Sequence, residues 1–280
     1  MVRRVFCALA VALVTALVGV AQSTNDYLDV LVVKVRPEKR ADFDAINKQI
    51  AEANRQNKGD TWVAMETAYG ENNTVTFISQ RRDYAAIEKG NDAFMGALNK
   101  SFGEAGAEKL LQDFNNTIES SRSEVRQRRW DLTGNPPADA AAVAKTVGEA
   151  RWVSTIVVHV RPGQELRFEA LIKDVNAAAK RSNNPGPAPW ISELDAGGRG
   201  TAYYISWLMK SIGEMHQGAP LPQILGQEGM QKFLQGVSES EQSSETVINR
   251  FLPELSNPLP EIAAAAPDFW NAKPKVPGNP

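Results

Sequence analysis

The sequence contains two histidines, His159 and His216, and both lie in its second half. Imidazole groups exchange protons near neutral pH and ligate metals or haem iron, so these residues are the candidates for catalysis. The alternative is structural: His159 would be hydrogen-bonded between two sheets, and His216 would lie on a helix surface. No H-E-x-x-H motif is present and Cys7 is the only cysteine, so we predict neither a metal site nor a bound cofactor.

Four further residues are candidates for ligand binding. Trp190, Tyr203 and Trp207 are large aromatic residues that could line a pocket, and Arg161 could bind an anion. The alternative for the aromatic residues is packing in the core or at an interface. For Arg161, and for Arg36 at the matching place earlier in the chain, the alternative is to end a strand and pair with an acidic side chain.

A basic group lies near the middle of the chain. It could contact an acidic partner, but arginines at alternating positions of a strand more often form a solvated sheet edge. We therefore expect these side chains on an exposed edge. The group consists of Arg122, Arg126, Arg128 and Arg129.

The candidate residues belong to an internal repeat. The segment VVKVRPEKRADFDAI, which begins at Val32, matches VVHVRPGQELRFEAL, which begins at Val157. Of the 22 positions from Val32 to Ala53, nine are identical to those 125 positions later. Ordinary composition would give about one or two identities. Lys34 corresponds to His159, and the match indicates that one folding unit occurs twice.

Each copy has the same succession of predicted elements. β-branched runs predict a first strand, and apolar residues at steps of three and four predict a helix after the Arg-Pro pair that ends this strand. After this helix come two strands that are joined by a turn. A second helix and a final strand complete the copy. The predicted strands are 30–35, 62–67, 74–79 and 124–132 in the first copy, and 155–160, 190–194, 201–207 and 245–252 in the second.

The order βαββαβ predicts an α+β fold made of two tandem ferredoxin-like units. Each unit has helices on one face of an antiparallel sheet and leaves the other face bare. We therefore expect the two units to pair their sheets within the chain as an intramolecular α/β barrel, which is a pseudo-dimer. His159 alternates with Val158 and Val160, so it should point away from the helices and into the barrel.

Two segments resemble a known family. VVHVRPGQELRFEALI resembles the first strand and helix of the dimeric α/β-barrel superfamily. ISWLMKSIGEMH, with Trp207 and His216 nine positions apart, resembles the third strand and second helix of antibiotic-biosynthesis-monooxygenase-like proteins. The resemblance covers both repeats and implies the barrel fold, with a pocket in the second repeat. The first repeat departs from it, because Gln80 and Lys89 occupy the positions of Trp207 and His216.

The ends of the sequence indicate export. Arg3 and Arg4 precede an uncharged apolar run that ends in Gly19-Val20-Ala21, which is the pattern of a cleaved signal peptide. We expect a periplasmic or secreted protein without cysteine after cleavage. The predicted divisions are a signal peptide at 1–21, repeats at 24–132 and 151–256, a linker at 133–150, and an extended proline- and alanine-rich tail at 257–280. The alternative for the tail is that Phe269 and Trp270 dock onto the body.

Composition and motifs narrow the class of partner. The formal net charge of −2 gives no reason to expect nucleic acid or, once the signal is removed, a membrane. The RNA-binding sheet motif is absent, and DAGGRG lies in a hairpin turn, so it does not form a phosphate-binding loop. A small organic molecule is the expected partner. We favour an exported, non-catalytic protein that binds a small ligand or a protein partner; the alternative is a cofactor-independent monooxygenase-like or haem-interacting enzyme with a pocket in the second repeat.

Overall fold

The computed structural model describes residues 27–183 and 186–271, apart from the side chain of His216. The predicted signal peptide, 1–21, lies outside the described residues. Eight antiparallel strands form a closed barrel at the centre of the molecule. These strands are β1 (Tyr27–Val35), β2 (Val63–Tyr69), β3 (Thr74–Arg81), β4 (Ile118–Arg128), β5 (Trp152–Val160), β6 (Trp190–Ala196), β7 (Thr201–Met209) and β8 (Glu241–Phe251).

Helices cover the outside of the barrel and one of its ends. The long helices α2 and α5 each contain a kink at a glycine with positive φ, Gly103 (71°) and Gly226 (67°), which supports their equivalence in the two repeats. The α-helices are α1 (Arg40–Asn57), α2 (Tyr84–Thr117), α3 (Ala140–Glu149), α4 (Glu165–Arg181), α5 (Leu221–Ser240), α6 (Pro260–Ala265) and α7 (Pro267–Trp270). Short 3₁₀ helices span Pro37–Lys39, Ile212–His216 and Pro253–Leu255.

The strand order confirms the duplicated ferredoxin-like fold. Around the barrel the order is β1-β3-β2-β8-β5-β7-β6-β4, and β4 pairs with β1 to close it. Each repeat contributes four neighbouring strands, and its first strand lies between its third and its fourth. The repeats meet at two pairings, β2 with β8 and β4 with β6. The outer strands of each sheet are therefore paired with the other repeat.

The two faces of each strand have different surroundings. On β1, Val33 and Val35 face outwards and are fully buried with Phe43 of α1. On β5, Val158 and Val160 pack in the same way against α4. The intervening positions point into the barrel, as the alternation of the strand requires. The sequence pattern therefore predicted both the strands and the faces that the helices cover.

The final strands begin earlier than the sequence predicted. β4 begins at Ile118 and β8 at Glu241, whereas the predicted starts were residues 124 and 245. Residues 119–123 and 242–246 are polar and exposed, so they carry no apolar alternation that would reveal a strand. Both strands follow directly on a helix, without a connecting loop.

The linker and the described part of the tail form a cap at one end of the barrel. The linker contains α3, which packs against α6 beneath Trp270. The indole Nε1 of Trp270 donates to the carbonyl oxygen of Gly148 at 2.8 Å, and Trp270 is 3% exposed. The prediction of an extended tail is therefore wrong as far as Asn271, because the apolar residues of α6 and α7 bury themselves against the barrel end.

None of the helices in residues 27–183 and 186–271 is both long enough and apolar enough to cross a membrane.

Candidate functional site

The barrel encloses a cavity of about 100 Å³ next to the cap. The capped ends of all eight strands contribute to its wall, and Val147 of α3 and Ile262 of α6 close it on the cap side. Because these strands come from both repeats, the cavity lies on the interface between them. Most of the wall is apolar, including Leu28, Met65, Ile78, Val153, Leu208 and Phe251.

A smaller number of polar side chains also line the cavity. The hydroxyl groups of Thr155 and Ser206, on the neighbouring strands β5 and β7, lie 2.9 Å apart and are hydrogen-bonded. An apolar wall with a few fixed polar groups is typical of small-molecule sites, in which the polar groups set the orientation of the ligand. The polar lining residues on the strands are Gln80, Arg126, Arg128, Thr155, Ser192 and Ser206.

Arg126 connects the cavity to a polar network inside the barrel. Its guanidinium donates from Nε to Glu124 Oε2 at 2.8 Å, and its Cζ lies 3.6 Å from the ring centroid of Tyr204. The Tyr204 hydroxyl donates to the same Glu124 oxygen at 3.0 Å, and Arg122 pairs with the other. Arg122, Glu124 and Arg126 alternate along β4 and lie on its inward face, but the side chain of Arg122 is 58% exposed at the uncapped end. Two arginines share one carboxylate, which leaves one positive charge in excess.

The network fixes the protonation of its members. Burial alone would raise the pKa of the Glu124 carboxyl, but the charge and hydrogen bond of Arg126, helped by Arg122 and Tyr204, hold it below its ordinary value. Burial raises the pKa of Tyr204 to about 12; Arg126 opposes this shift and Glu124 adds to it. At neutral pH, Glu124 is therefore ionised and Tyr204 is a neutral hydrogen-bond donor.

Arg128 lies between two tryptophans at the wall of the cavity. Its Cζ is 5.2 Å from the ring of Trp130 and 5.0 Å from the ring of Trp190. The two indoles meet edge to face, with ring centroids 5.6 Å apart. Aromatic faces attract a guanidinium group through their quadrupole, so the tryptophans hold Arg128 in place.

The predicted aromatic ligand-binding residues do not share one site. Trp190 lines the cavity, and its role in binding stays a prediction. Tyr203 and Trp207 lie on the opposite face of β7 from Ser206, so neither reaches the cavity. Tyr203 packs against Phe168, and its hydroxyl donates to Glu169 at 3.0 Å. Tyr203 therefore joins α4 to the barrel, and Trp207 is a half-buried residue on the same outer face.

The remaining candidates lie away from the cavity. His159 is on the inward face of β5, as predicted, but near the uncapped end, where it pairs with Ala202 and Ser243. Arg161 is exposed just beyond this strand, and its backbone N–H donates to Ser240 O at 2.8 Å. His216 ends a 3₁₀ helix, and its side chain lies outside the described part of the structure. A catalytic role for either histidine stays a prediction.

The expectation that the basic group lies on an exposed sheet edge is wrong for Arg126 and Arg128, whereas Arg122 is 58% exposed. A strand in a closed barrel has no free edge, so Arg126 and Arg128 face the interior and only Arg129 points outwards, to Glu169 and Glu193. The alternation of Arg122, Glu124, Arg126 and Arg128 was the available signal. A carboxylate at the second of four alternating charged positions indicates an internal ion-pair network.

Haem is too large for the cavity. Sites for drug-sized ligands begin at about 300 Å³, and a haem is larger than such ligands, whereas this cavity measures about 100 Å³. Among the described residues that line it, there is no histidine or cysteine to ligate iron. Elsewhere in 27–183 and 186–271, no group of three His, Cys, Asp or Glu residues is arranged to hold a metal ion.

Comparison with known proteins identifies the fold. No protein-family model matches the sequence, and no curated protein matches it. An anthrone oxidase-like protein superposes with a TM-score of 0.50 at 16% identity, over 81% of this chain and 92% of that one. A chlorite dismutase from Candidatus Nitrospira defluvii in complex with imidazole has a TM-score of 0.43 at 13% identity, over 83% and 93%. A haem-binding protein from Thermus thermophilus has a TM-score of 0.44 at 10% identity, over 82% and 93%.

At such low identity the likeness concerns the fold alone. The first of these comparisons, the strand order and the internal repeat agree with the sequence resemblance. The chain has the dimeric α/β-barrel fold, formed by two tandem ferredoxin-like units within one polypeptide.

Proposed function

We propose that the protein binds a small organic acid inside the barrel, without catalysing its conversion. The observation that carries this proposal is the position of Arg126, which lines an apolar cavity and belongs to a network with one excess positive charge. A carboxylate in the cavity would balance that charge, while its hydrocarbon part would contact Val153 and Leu208. Charge-assisted bonds from a guanidinium to a carboxylate are among the stronger hydrogen bonds in proteins.

The size of the cavity limits the ligand. An apolar cavity of about 150 Å³ accommodates benzene, and the cavity in the barrel measures about 100 Å³. The hydrocarbon part of the ligand is therefore smaller than a benzene ring. Isobutyrate is a suitable probe, and 1-naphthoate exceeds the available space.

The lining favours binding over catalysis. Arg126 and Arg128 are the ionisable side chains among the described residues of the cavity wall. Arginine stays protonated at physiological pH, so it cannot act as a general base. Thr155 and Ser206 are hydroxyl groups without an adjacent base on the wall, which gives no activated nucleophile. The wall can therefore orient and neutralise an acid, but it lacks a group that takes up a proton.

Calorimetric titration of the full chain with isobutyrate tests the proposal. We expect saturable binding of isobutyrate and none of isobutanol, its neutral counterpart. Arg126→Lys should retain part of the affinity, because it keeps the charge and loses the fork geometry. The double variant Glu124→Gln/Arg126→Gln removes one charge of each sign and should lose at least tenfold in affinity. Absence of binding in the wild type, or unchanged affinity in the double variant, would contradict the proposal.

The alternative is a cofactor-independent monooxygenase-like enzyme, and it is supported by the resemblance of the segment that contains Trp207 and His216. An oxygen electrode with a hydroquinone substrate tests it, and added haem tests the haem-interacting form through a Soret shift. Oxygen consumption that disappears in His216→Ala would favour the enzyme over the binding protein. No consumption with the wild type would favour the binding protein.

We also propose that the protein acts after export. The basic residues Arg3 and Arg4, the apolar run after them and the small residues before Gln22 support this proposal. The intact mass of the protein recovered from its native host provides the test. We expect the mass of a chain that begins at Gln22, and an uncleaved chain in the cytoplasmic fraction would contradict export.

A further inference from the structure

A second concave site lies on the outer side of the cap. It is a cleft of about 300 Å³, which is the lower end of the range for small-molecule sites. The cleft is formed where the start of β5, the end of β8 and α7 meet. Its wall contains Arg151, Trp152, Arg250, Glu254, Phe269 and the residues Phe251 to Pro253.

Arg151 differs from three other arginines that are at least partly buried. Arg40, Arg81 and Arg129 each contact two or more carboxylates. Within the described ranges, the guanidinium of Arg151 contacts no carboxylate: its Nη1 donates to the carbonyl oxygens of Gly148 at 3.0 Å and Ala150 at 2.8 Å. Its charge is therefore partly desolvated without an ion-pair partner.

The position of the guanidinium leaves it open to a ligand. Its Cζ lies 3.9 Å from the ring centroid of Phe269, so one face is covered by an aromatic side chain. Glu149, its nearest acidic neighbour in the sequence, pairs with Lys210 at 2.8 Å. The two carbonyl contacts use Nη1 alone. Among the described residues, no partner occupies the other nitrogens of the group, which can donate to the two oxygens of an acid.

Arg250 adds a second guanidinium to the same cleft. It pairs with Glu66, which also accepts from Arg40. Arg40 has a second carboxylate partner in Asp44, so Arg250 keeps an ion-pair partner in Glu66, whereas Arg151 has none among the described residues. Glu254 contributes a carboxylate to the wall, and it is exposed. The cleft thus combines a desolvated cation, a second cation and the apolar surfaces of Trp152 and Phe269.

From this arrangement we infer that the cleft is a second ligand site, which binds an oxyanion carried on a planar apolar group, with Arg151 as its main recognition residue. Burial lowers the pKa of Arg151, although Glu149 opposes this shift, and the direction shows that its cationic form lacks compensation. A bound carboxylate or phosphate would supply that compensation. The inference does not depend on ligand binding in the barrel cavity, because the two sites use different arginines.

A purely structural role for Arg151 would predict different properties of its variants. Arginine near the C-terminus of a helix stabilises the last carbonyl groups and the helix dipole, and Arg151 does this for α3. Glutamine can donate to the same carbonyls, so Arg151→Gln retains that role and removes the charge. Loss of ligand binding with retained thermal stability therefore distinguishes recognition from capping.

The probes are 1-naphthoate and 1-naphthyl phosphate, which distinguish a carboxylate ligand from a phosphate ligand. Both exceed the barrel cavity and fit the cleft. The neutral control is 1-naphthalenemethanol. Binding is followed by the ¹H–¹⁵N resonances of the tryptophan indoles, assigned by Trp→Phe replacement. We expect the resonance of Trp152 to shift on saturation with at least one anion, while that of Trp190 in the cavity wall stays in place.

Charge variants complete the test. Arg151→Gln should weaken binding of the anion at least tenfold, and Arg250→Gln about threefold. Arg199→Gln is the matched control, because it removes an exposed arginine in the turn between β6 and β7, and it should leave the affinity unchanged. The inference is overturned if neither anion shifts Trp152, if the neutral alcohol binds equally well, or if Arg151→Gln or Arg250→Gln binds like Arg199→Gln. Failure of isobutyrate to enter the barrel cavity would not affect these outcomes.

Discussion

Glu124 holds together the polar interior of the barrel. It is 3% exposed and accepts hydrogen bonds from Arg122, Arg126 and Tyr204. A buried carboxylate is stable only if its charge is compensated, and here compensation comes from two strands, β4 and β7. The same carboxylate keeps Arg126 at the wall of the cavity. Stability and the proposed ligand binding therefore depend on one side chain.

Replacement of Glu124 should strongly destabilise the fold. Glu124→Gln leaves Arg126 without a carboxylate partner inside the barrel, and removal of one member of a buried ion pair costs about 3–5 kcal/mol. Tyr204→Phe removes a single hydrogen bond to the same oxygen and should cost about 1 kcal/mol. Urea unfolding at pH 7 measures both free energies. Equal losses in the two variants would show that Glu124 does not organise the network.

The network also predicts that the free energy of unfolding depends on pH. The folded-state pKa of Glu124 lies below its ordinary value of 4.5, so folding favours the ionised form. This contribution to stability is complete well above pH 4.5, decreases as the pH falls below that value, and is lost below the folded-state pKa. The difference in unfolding free energy between the wild type and Glu124→Gln should therefore shrink from pH 6 to pH 2. A constant difference would contradict the assignment.

At the scale of elements, the sequence predicts the strands and helices whose residue pattern lies within a single segment. The β-branched run before Arg36 and the spacing of Phe43 and Ile50 predict β1 and α1 because each pattern lies within one element. The polar starts of β4 and β8 escaped prediction, since pairing with neighbours, rather than burial, holds them. Docking of Phe269 and Trp270 was only the alternative to an extended tail, because composition does not reveal the surface on which a short apolar segment packs.

The cap depends on close contact between two helices. A Cβ on Gly148 would lie 2.4 Å from Ile262 O and 2.6 Å from Ala265 Cβ, so Gly148→Ala should force α3 and α6 apart and cost about 2 kcal/mol. Gly96 lies in α2, where an added methyl group would have no neighbouring atom within 4 Å, and it is the matched control. Gly96→Ala should stabilise by about 0.5–1 kcal/mol. Thermal unfolding of both variants tests whether their changes in stability have opposite signs.

At the scale of the whole molecule, the cavity exists only because the barrel closes. Residues from all eight strands line its wall, so no continuous sequence motif predicts the cavity. Trp190 was predicted from its type, whereas Arg126, Thr155 and Ser206 become neighbours only through the pairings around the barrel. The resemblance to a family directed attention to Trp207, which lies on the outer face. The fold was therefore predictable from the internal repeat, whereas the candidate site in the barrel was not.

The closed barrel also predicts mutual dependence of the repeats. A fragment of residues 24–150 has unpaired β2 and β4 edges and an open apolar interior, so it should self-associate or aggregate when it is expressed alone. Co-expression with a fragment of residues 151–280 should give a soluble complex with the mass of one full chain. Size-exclusion chromatography with light scattering measures both outcomes. A soluble, folded monomer of the first fragment would contradict the prediction.

The position of the cap changes what counts as the repeating unit. The helix α3 follows β4, and α6 follows β8 at the same end of the barrel, so linker and tail occupy equivalent places in the two copies. Their sequences agree: NPPADAAAVA from Asn135 and NPLPEIAAAA from Asn257 share five of ten residues. The segment that was duplicated in evolution thus included its own end cap. An ancestral homodimer of this unit would have been closed at that end by two copies of one helix.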